Sequence, residues 1–212
     1  MPAESNKKLP AHAELQRHFR KRDPLLAKVI AQVGPMNIKA QRNHFQTLVA
    51  SIISQQISTA AARTIRQRLV DHLHPESIQP QTLLELSHDQ MREFGISKQK
   101  AHYLRDLTER CHAQELKLNQ LHRKSDEDVI TELTQVKGIG RWSAQMFLIF
   151  ALRRPNVFAS GDLGVQNGIR EIYGLTERPN ADQLAEIHER WQPFATAGSW
   201  YCWRYLEFLK NG

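Results

Sequence analysis

The feature that most constrains the fold of this chain is a short turn with two glycines between two stretches of helical pattern. The turn is residues 136–140 (VKGIG); an apolar-periodic stretch ends before it at Leu133, and another begins after it at Trp142. Glycine allows a chain to reverse between two helices at little steric cost. Backbone N–H groups at the start of the second helix have no intrahelical partner and, with the helix dipole, favour a bound phosphate. The turn therefore predicts either a phosphate-binding corner, to which Lys137 and Arg141 add charge, or a plain structural corner.

Signals for helix starts recur along the rest of the chain. Asp23 followed by Pro24 is typical of a first turn, and Gly34-Pro35 is typical of an end. Residues that cap helix N-termini also precede other apolar-periodic stretches, namely Ser58, Ser87, Ser97, Ser125, Asp162 and Asn180. No stretch alternates between apolar and polar residues with a period of two, so β-strands are not expected. We therefore predict an all-α fold of about ten short helices.

Composition limits the classes of function. The formal net charge of +7 favours a polyanionic partner, although a merely basic protein would carry the same charge. Cys111 and Cys202 are the only cysteines; they provide neither a metal-ligand spacing nor a disulfide framework, so we expect a reducing compartment. No run of about 18 apolar residues occurs, so we expect no membrane segment. Residues 1–10 are polar and predict a flexible tail rather than a secretory signal.

Several sequence blocks follow one another in a specific order. They are residues 52–58 (IISQQIS), 136–144 (VKGIGRWSA), 158–165 (FASGDLGV), 191–194 (WQPF) and 200–204 (WYCWR). Together they resemble the signatures of the base-excision DNA glycosylase superfamily that carries a helix-hairpin-helix motif. The last two blocks resemble its alkylpurine branch, 3-methyladenine DNA glycosylase II. The resemblance extends from about residue 24 to the C-terminus.

The resemblance implies one domain over residues 1–212, built from two close helical lobes. One lobe is expected at roughly 60–150, and the other at 11–59 plus 151–212. The implied function is excision of alkylated purines, such as 3-methyladenine and 7-methylguanine, from double-stranded DNA. We expect a monomer with no membrane partner, located in the bacterial cytoplasm (nucleoid) or in a eukaryotic nucleus.

Asp162 is the candidate catalytic residue, because it matches the essential aspartate of the resembled superfamily. Cleavage of an N-glycosidic bond builds positive charge on the sugar, and a nearby carboxylate can stabilise that charge or help a water molecule attack. Asp162 also stands at the N-cap position before residues 163–173, which predicts a structural role that is compatible with catalysis.

The residue after Arg141 bears on the type of glycosylase. Members of the resembled superfamily that also cut the DNA strand carry a lysine nucleophile there, whereas this chain has Trp142. Lys137 stands where the hairpin usually has proline, so it is not that nucleophile and is expected to loosen the turn. A Schiff base needs an amine aimed at the sugar. We therefore predict a monofunctional hydrolase that leaves an abasic site, without the four-cysteine iron–sulfur loop of the endonuclease III branch.

The resemblance also implies how DNA is held and how the base is bound. Gln56 matches the wedge that fills the gap left by a flipped base, and Gln55 is expected to support the turn beside it by hydrogen bonding. The predicted DNA-binding residues are Gln56, Lys137, Gly138, Gly140, Arg141 and Ser143, with the two glycines allowing close approach of the DNA backbone. The predicted base pocket is Trp142, Met146, Phe194 and Trp200, and the electron-rich rings of its three aromatic residues attract a cationic purine. Trp203 and Tyr205 are expected in the core.

No cofactor is expected for catalysis. In the resembled family the hairpin often binds a sodium or potassium ion through main-chain carbonyls, and the matching residues are Thr134, Val136 and Ile139. Ala195-Thr196 replaces the Arg-Ser that usually follows the aromatic residue of the C-terminal block. Two alternatives remain: a non-enzymatic helix-hairpin-helix protein that binds damaged DNA, and a glycosylase for mismatched or oxidised bases, which Trp142 disfavours.

Overall fold

The computed structural model describes residues 9–41 and 43–211, in which all regular secondary structure is helical. The predicted all-α class is thus confirmed, with thirteen helices in the described residues rather than about ten. Residues 1–8 of the predicted tail lie outside the described part. Among the helices that are described, none is both long and apolar enough to cross a lipid bilayer.

The chain divides into two compact units. Within the described residues, one unit is residues 41–147, and the other is residues 9–40 and 148–211. The first unit therefore begins at residue 41, whereas the sequence predicted a lobe that begins at about 60. The reason lies in helix α3 (His44–Ser54), which packs against later helices of the first unit.

The first unit contains seven further helices or parts of helices. They are α4 (Thr59–Leu73), α5 (Pro80–Leu84), α6 (His88–Glu93), α7 (Lys98–His112), the 3₁₀ helix η1 (Leu118–Arg123), α8 (Asp126–Leu133) and α9 (Arg141–Phe150), whose residues 148–150 belong to the second unit. The sequence did not predict α5 and η1, because their N-cap residues, Gln79 and Lys117, are not typical caps and each helix is too short to show a helical period.

The second unit contains five complete helices. They are α1 (His12–Arg22), α2 (Pro24–Val33), α10 (Leu163–Tyr173), α11 (Ala181–Trp191) and α12 (Ala195–Asn211). The predicted start of α2 is confirmed, because Oδ1 of Asp23 accepts a hydrogen bond from Leu26 N at 3.1 Å. The side chains of the other predicted caps each accept a bond from a backbone N–H of the first helical turn, as seen for Ser58, Ser97, Ser125, Asp162 and Asn180.

Close packing of α10 on α12 fixes the geometry of the second unit. A Cβ atom built on Gly168 would lie 2.4 Å from Cβ of Cys202, and one built on Gly164 would lie 2.8 Å from Cδ1 of Trp203. These distances are shorter than any normal carbon–carbon contact, so the two glycines form a flat face that lets the helices approach. Asp162, directly before α10, is thereby held beside Trp203.

Candidate functional site

The hairpin between α8 and α9 contains a tight turn over residues 136–139. Ile139 N donates a hydrogen bond to Val136 O at 3.0 Å, and Gly138 has φ +82°. These are the features of a type II turn, in which the third residue needs a positive φ and the second residue favours proline. Lys137 occupies that second position.

Lys137 has a backbone N–H that proline would lack, and the structure gives it a partner. Lys137 N donates a hydrogen bond to Oδ2 of Asp106 at 2.9 Å, and Arg110 Nε donates to the same oxygen at 3.1 Å. Both partners lie on α7. The expected loosening of the turn is therefore offset by a bond to a carboxylate, which is stronger than a bond between neutral groups.

The two glycines of the hairpin have different surroundings. A Cβ atom on Gly138 would lie 2.1 Å from the ring of Tyr103, whereas nothing lies within 4 Å of one on Gly140. Gly138 is thus required by its positive φ and by Tyr103, and its contact with DNA stays a prediction. Only Gly140 has the open surroundings that the sequence interpretation expected of both.

The loop after α3 is joined to the hairpin. Gln55 is the C-cap of α3, and its Nε2 donates a hydrogen bond to Gly138 O at 2.8 Å. The expectation that Gln55 bonds in support of a turn is confirmed, with the hairpin as its partner. Gln56 is exposed and has φ +56°, and the adjacent Ile57 is 38% exposed. The predicted wedge therefore stands at a sharp turn on the surface of the first unit.

Arg141 and Ser143, at the start of α9, differ in accessibility. Arg141 forms two hydrogen bonds to Glu127, at 3.0 and 2.6 Å, and both side chains are exposed. The bonds from Arg141 lower the pKa of Glu127. An exposed ion pair contributes little to stability, so Arg141 can exchange this partner for a phosphate. Ser143 is only 6% exposed, and its contact with DNA stays a prediction.

The tryptophan in the first turn of α9 is open to solvent. Trp142 is 48% exposed, an unusual value for so large an apolar residue. Met146, one helical turn further on, is half-buried. Side chains four residues apart lie on one face of a helix. Two of the four residues predicted to contact the base are thus neighbours on the first unit.

Asp162 caps α10 and accepts two hydrogen bonds at one oxygen. Its Oδ1 accepts from Val165 N at 2.8 Å and from Trp203 Nε1 at 2.8 Å. The half-buried carboxylate is therefore fixed in direction by one backbone and one side-chain donor. The predicted N-cap role is confirmed, and the catalytic role stays a prediction.

Trp203 was expected in the core, and the structure corrects that expectation. It is half-buried, stacks on Phe150 at 5.8 Å between ring centroids, and points its indole N–H at Asp162. Tyr205 is also half-buried and stacks on Phe208 at 6.3 Å. Sequence reasoning missed Trp203, although a tryptophan in a matched block must find an acceptor when its N–H leaves water.

The two remaining residues of the predicted base pocket lie in the second unit. Phe194 is half-buried and meets the ring of His18 edge-on at 5.0 Å. Trp200 is 9% exposed and meets Tyr201 edge-on at 4.9 Å. Trp200 therefore belongs to the core, because residues 195–202 of α12 are buried throughout. Its predicted contact with a base stays a prediction.

The unusual pair Ala195-Thr196 is also buried. Thr196 Oγ1 donates a hydrogen bond to Arg154 O at 2.5 Å and accepts one from Val157 N at 3.0 Å. This residue thus ties the segment before Asp162 to α12. The departure from Arg-Ser removes a cation and leaves a neutral hydroxyl in the interior.

Comparisons with known proteins agree with these features. The model of the family "HhH-GPD superfamily base excision DNA repair protein" matches residues 49–193. YfjP of Bacillus subtilis, named a DNA-3-methyladenine glycosylase, is 31% identical over 169 residues, which are 77% of this chain and 59% of YfjP. The chain thus spans less than two thirds of that relative.

Two solved structures are similar over most of the chain. DNA-3-methyladenine glycosidase from Bacillus halodurans has a TM-score of 0.83 and 31% identity, covering 93% of this chain and 90% of the other. The 3-methyladenine DNA glycosylase Mag1 of Schizosaccharomyces pombe, in complex with abasic DNA, has a TM-score of 0.76 and 28% identity, covering 91% and 96%. Since the family model matches more than half of the residues, this chain belongs to the HhH-GPD superfamily of base excision DNA repair proteins.

Proposed function

We propose that this protein is a DNA glycosylase that hydrolyses the N-glycosidic bond of alkylated purines in duplex DNA and leaves an abasic site. The observation that carries the proposal is the carboxylate of Asp162, oriented by Val165 and Trp203. The names of YfjP and of the Bacillus halodurans protein support the substrate class. The abasic DNA bound to Mag1 supports DNA as the partner.

Asp162 acts on charge that develops in the sugar. As the bond from C1′ to the purine nitrogen breaks, its electron pair leaves with the base, and a base alkylated to a cation departs neutral. The sugar becomes oxocarbenium-like, and a carboxylate that is already oriented stabilises it without reorganisation. The oxygen of a water molecule then bonds to C1′, and the proton it loses passes to the carboxylate or to solvent.

Trp142 supports both the choice of base and the absence of strand cleavage. An exposed indole ring attracts a cationic base more than a neutral one. The indole cannot form a Schiff base with the opened sugar, which a strand-cleaving lyase requires. The enzyme therefore hydrolyses the N-glycosidic bond and leaves the DNA strand intact.

The carbonyl oxygens of Thr134, Val136 and Ile139 would hold a sodium or potassium ion beside the hairpin. Oxygen donors suit hard cations. Val136 O accepts the N–H of Ile139 and retains a second lone pair. The ion would supply positive charge next to a DNA phosphate.

The protein works as a monomer in this proposal.

A single-turnover assay on methylated duplex DNA tests the function. The wild-type protein is expected to release free 3-methyladenine or 7-methylguanine, without strand breaks before alkali treatment. Asp162→Asn keeps a similar hydrogen-bonding shape, so it should bind abasic DNA normally and lose most of the turnover. Binding without release by the wild-type protein would indicate a non-enzymatic DNA-binding protein. Release of oxidised or mismatched bases in preference to alkylated ones would overturn the substrate class.

A further inference from the structure

The C-terminal end of α3 is held by a lysine from another helix. Lys100 Nζ, on α7, donates a hydrogen bond to Ile53 O at 2.7 Å. The last turn of α3 contains no basic residue of its own. Lys100 therefore supplies the cation that the negative end of the helix dipole favours. It is half-buried, and burial lowers its pKa.

The same helix also supports the hairpin. The ring of Tyr103 fills the space beside Gly138, and Gln99 Nε2 donates a hydrogen bond to the Tyr103 hydroxyl at 2.6 Å. Asp106 holds Lys137 N, as described above. Positions 99, 103 and 106 are spaced three or four apart and so share a face of α7, and Lys100 is three residues before Tyr103.

Gln55 completes the connection between the two elements. It follows α3 directly, and its side chain reaches Gly138 O. One rigid helix and one side-chain amide thus join the loop of residues 54–58 to the hairpin. The exposed Gln56 stands in this loop with a positive φ, a conformation that costs about 1 kcal/mol or more in a residue other than glycine. Neighbouring contacts must hold that conformation.

We propose that Gln55 and Lys100 are positioning residues that transmit the grip of the hairpin on DNA to the wedge Gln56. The idea rests on the proposed glycosylase function and concerns the step in which the base leaves the duplex. Extrusion of a base must overcome pairing and stacking. A wedge residue on a loop that moves cannot oppose these forces, whereas a wedge residue on a loop that is fixed to the phosphate-binding turn can.

Two variants separate positioning from chemistry. Lys100→Met keeps the aliphatic stem and removes the amine, and Gln55→Leu keeps the volume and removes the amide. Lys98→Met, at an exposed lysine on the same helix, is the matched control. Each protein is given the same lesion in two DNAs: a perfect duplex, and a duplex in which the lesion and its neighbours are unpaired in a bubble.

The expected result is a loss that depends on base pairing. Single-turnover excision from the perfect duplex should fall by about tenfold or more in both variants, because extrusion costs a few kcal/mol there. Excision from the bubble should stay within about twofold, and Lys98→Met should match the wild-type protein on both DNAs. The fluorescence of 2-aminopurine beside the lesion should show less extrusion in the two variants. Gln55→Leu combined with Gln56→Ala should lose less than the product of the single effects.

Several results would overturn the proposal. An equal loss on duplex and bubble would assign Gln55 and Lys100 to the fold or to the chemistry, and thermal melting would tell which. No loss on the duplex, or an equal loss in Lys98→Met, would remove the role in positioning. Failure of the wild-type protein to excise from either DNA would instead contradict the glycosylase function itself.

Discussion

Trp203 and Asp162, 41 positions apart in the chain, are joined by a hydrogen bond of 2.8 Å from the indole N–H to Oδ1. The same oxygen caps α10 through Val165 N. One carboxylate oxygen thus links the start of α10 to the middle of α12. The direction of the proposed catalytic group depends on both helices.

Trp203→Phe should preserve the stack on Phe150 and remove the donor to Asp162. A hydrogen bond to a charged group contributes about 1.5–3 kcal/mol, so the single-turnover rate should fall roughly 10- to 100-fold with little change in affinity for abasic DNA. Tyr205→Phe, which removes only a hydroxyl from a neighbouring stacked ring, is the control. An unchanged rate in Trp203→Phe would show that the indole does not orient the carboxylate.

Alanine at the two hairpin glycines should affect different properties, namely stability at Gly138 and DNA affinity at Gly140. Gly138→Ala introduces a Cβ against the Tyr103 ring at a positive φ, so the melting temperature should drop markedly. Gly140→Ala meets open space, so its melting temperature should stay near that of the wild type while DNA affinity falls. Calorimetry and fluorescence anisotropy measure the two quantities. Full DNA affinity in Gly140→Ala would mean that the DNA backbone does not approach this residue.

Lys137→Pro should stabilise the protein only when Asp106 is absent. Proline suits the second position of the turn and typically adds about 0.4–1 kcal/mol by restricting the unfolded chain. In the wild-type background it also removes the bond to Asp106, which offsets this gain. In Asp106→Ala the bond is already lost, and the full gain should appear in denaturant unfolding. Equal effects of proline in both backgrounds would contradict the coupling.

The second unit should lose stability at acidic pH through two histidines. Burial lowers the pKa of His18 and His188 below the ordinary value of 6.5. As the pH falls through 6.5, the two histidines become protonated in the unfolded chain before they do in the folded chain. The free energy of unfolding therefore decreases in this pH range. His188→Gln should flatten this part of the stability profile, measured in urea at several pH values. If the free energy of unfolding of His188→Gln falls with pH as steeply as that of the wild type, His188 does not contribute to the loss of stability at acidic pH.

Local signals predicted the helices well, because a cap and its partner lie within one turn. Ser58 and Ser97 bond to N–H groups three residues away, and both helices begin where the sequence placed them. Lys137 also bonds to Asp106, and Asp162 to Trp203, and each of these partners lies on another helix. No local sequence pattern predicts these two partners. The sequence likewise did not predict that Trp200 is buried, since only packing decides which aromatic residue of a matched block is buried.

The pairing of Arg141 with Glu127 has a consequence for binding in salt. Cations of a protein that neutralise DNA phosphates normally displace mobile ions, and the number released sets the slope of affinity against salt concentration. Arg141 carries its own counterion, attached to the protein. In the proposed complex a phosphate exchanges with a carboxylate that remains tethered nearby. This contact therefore adds less to the salt slope than an unpaired arginine would, and part of the grip persists as ionic strength rises.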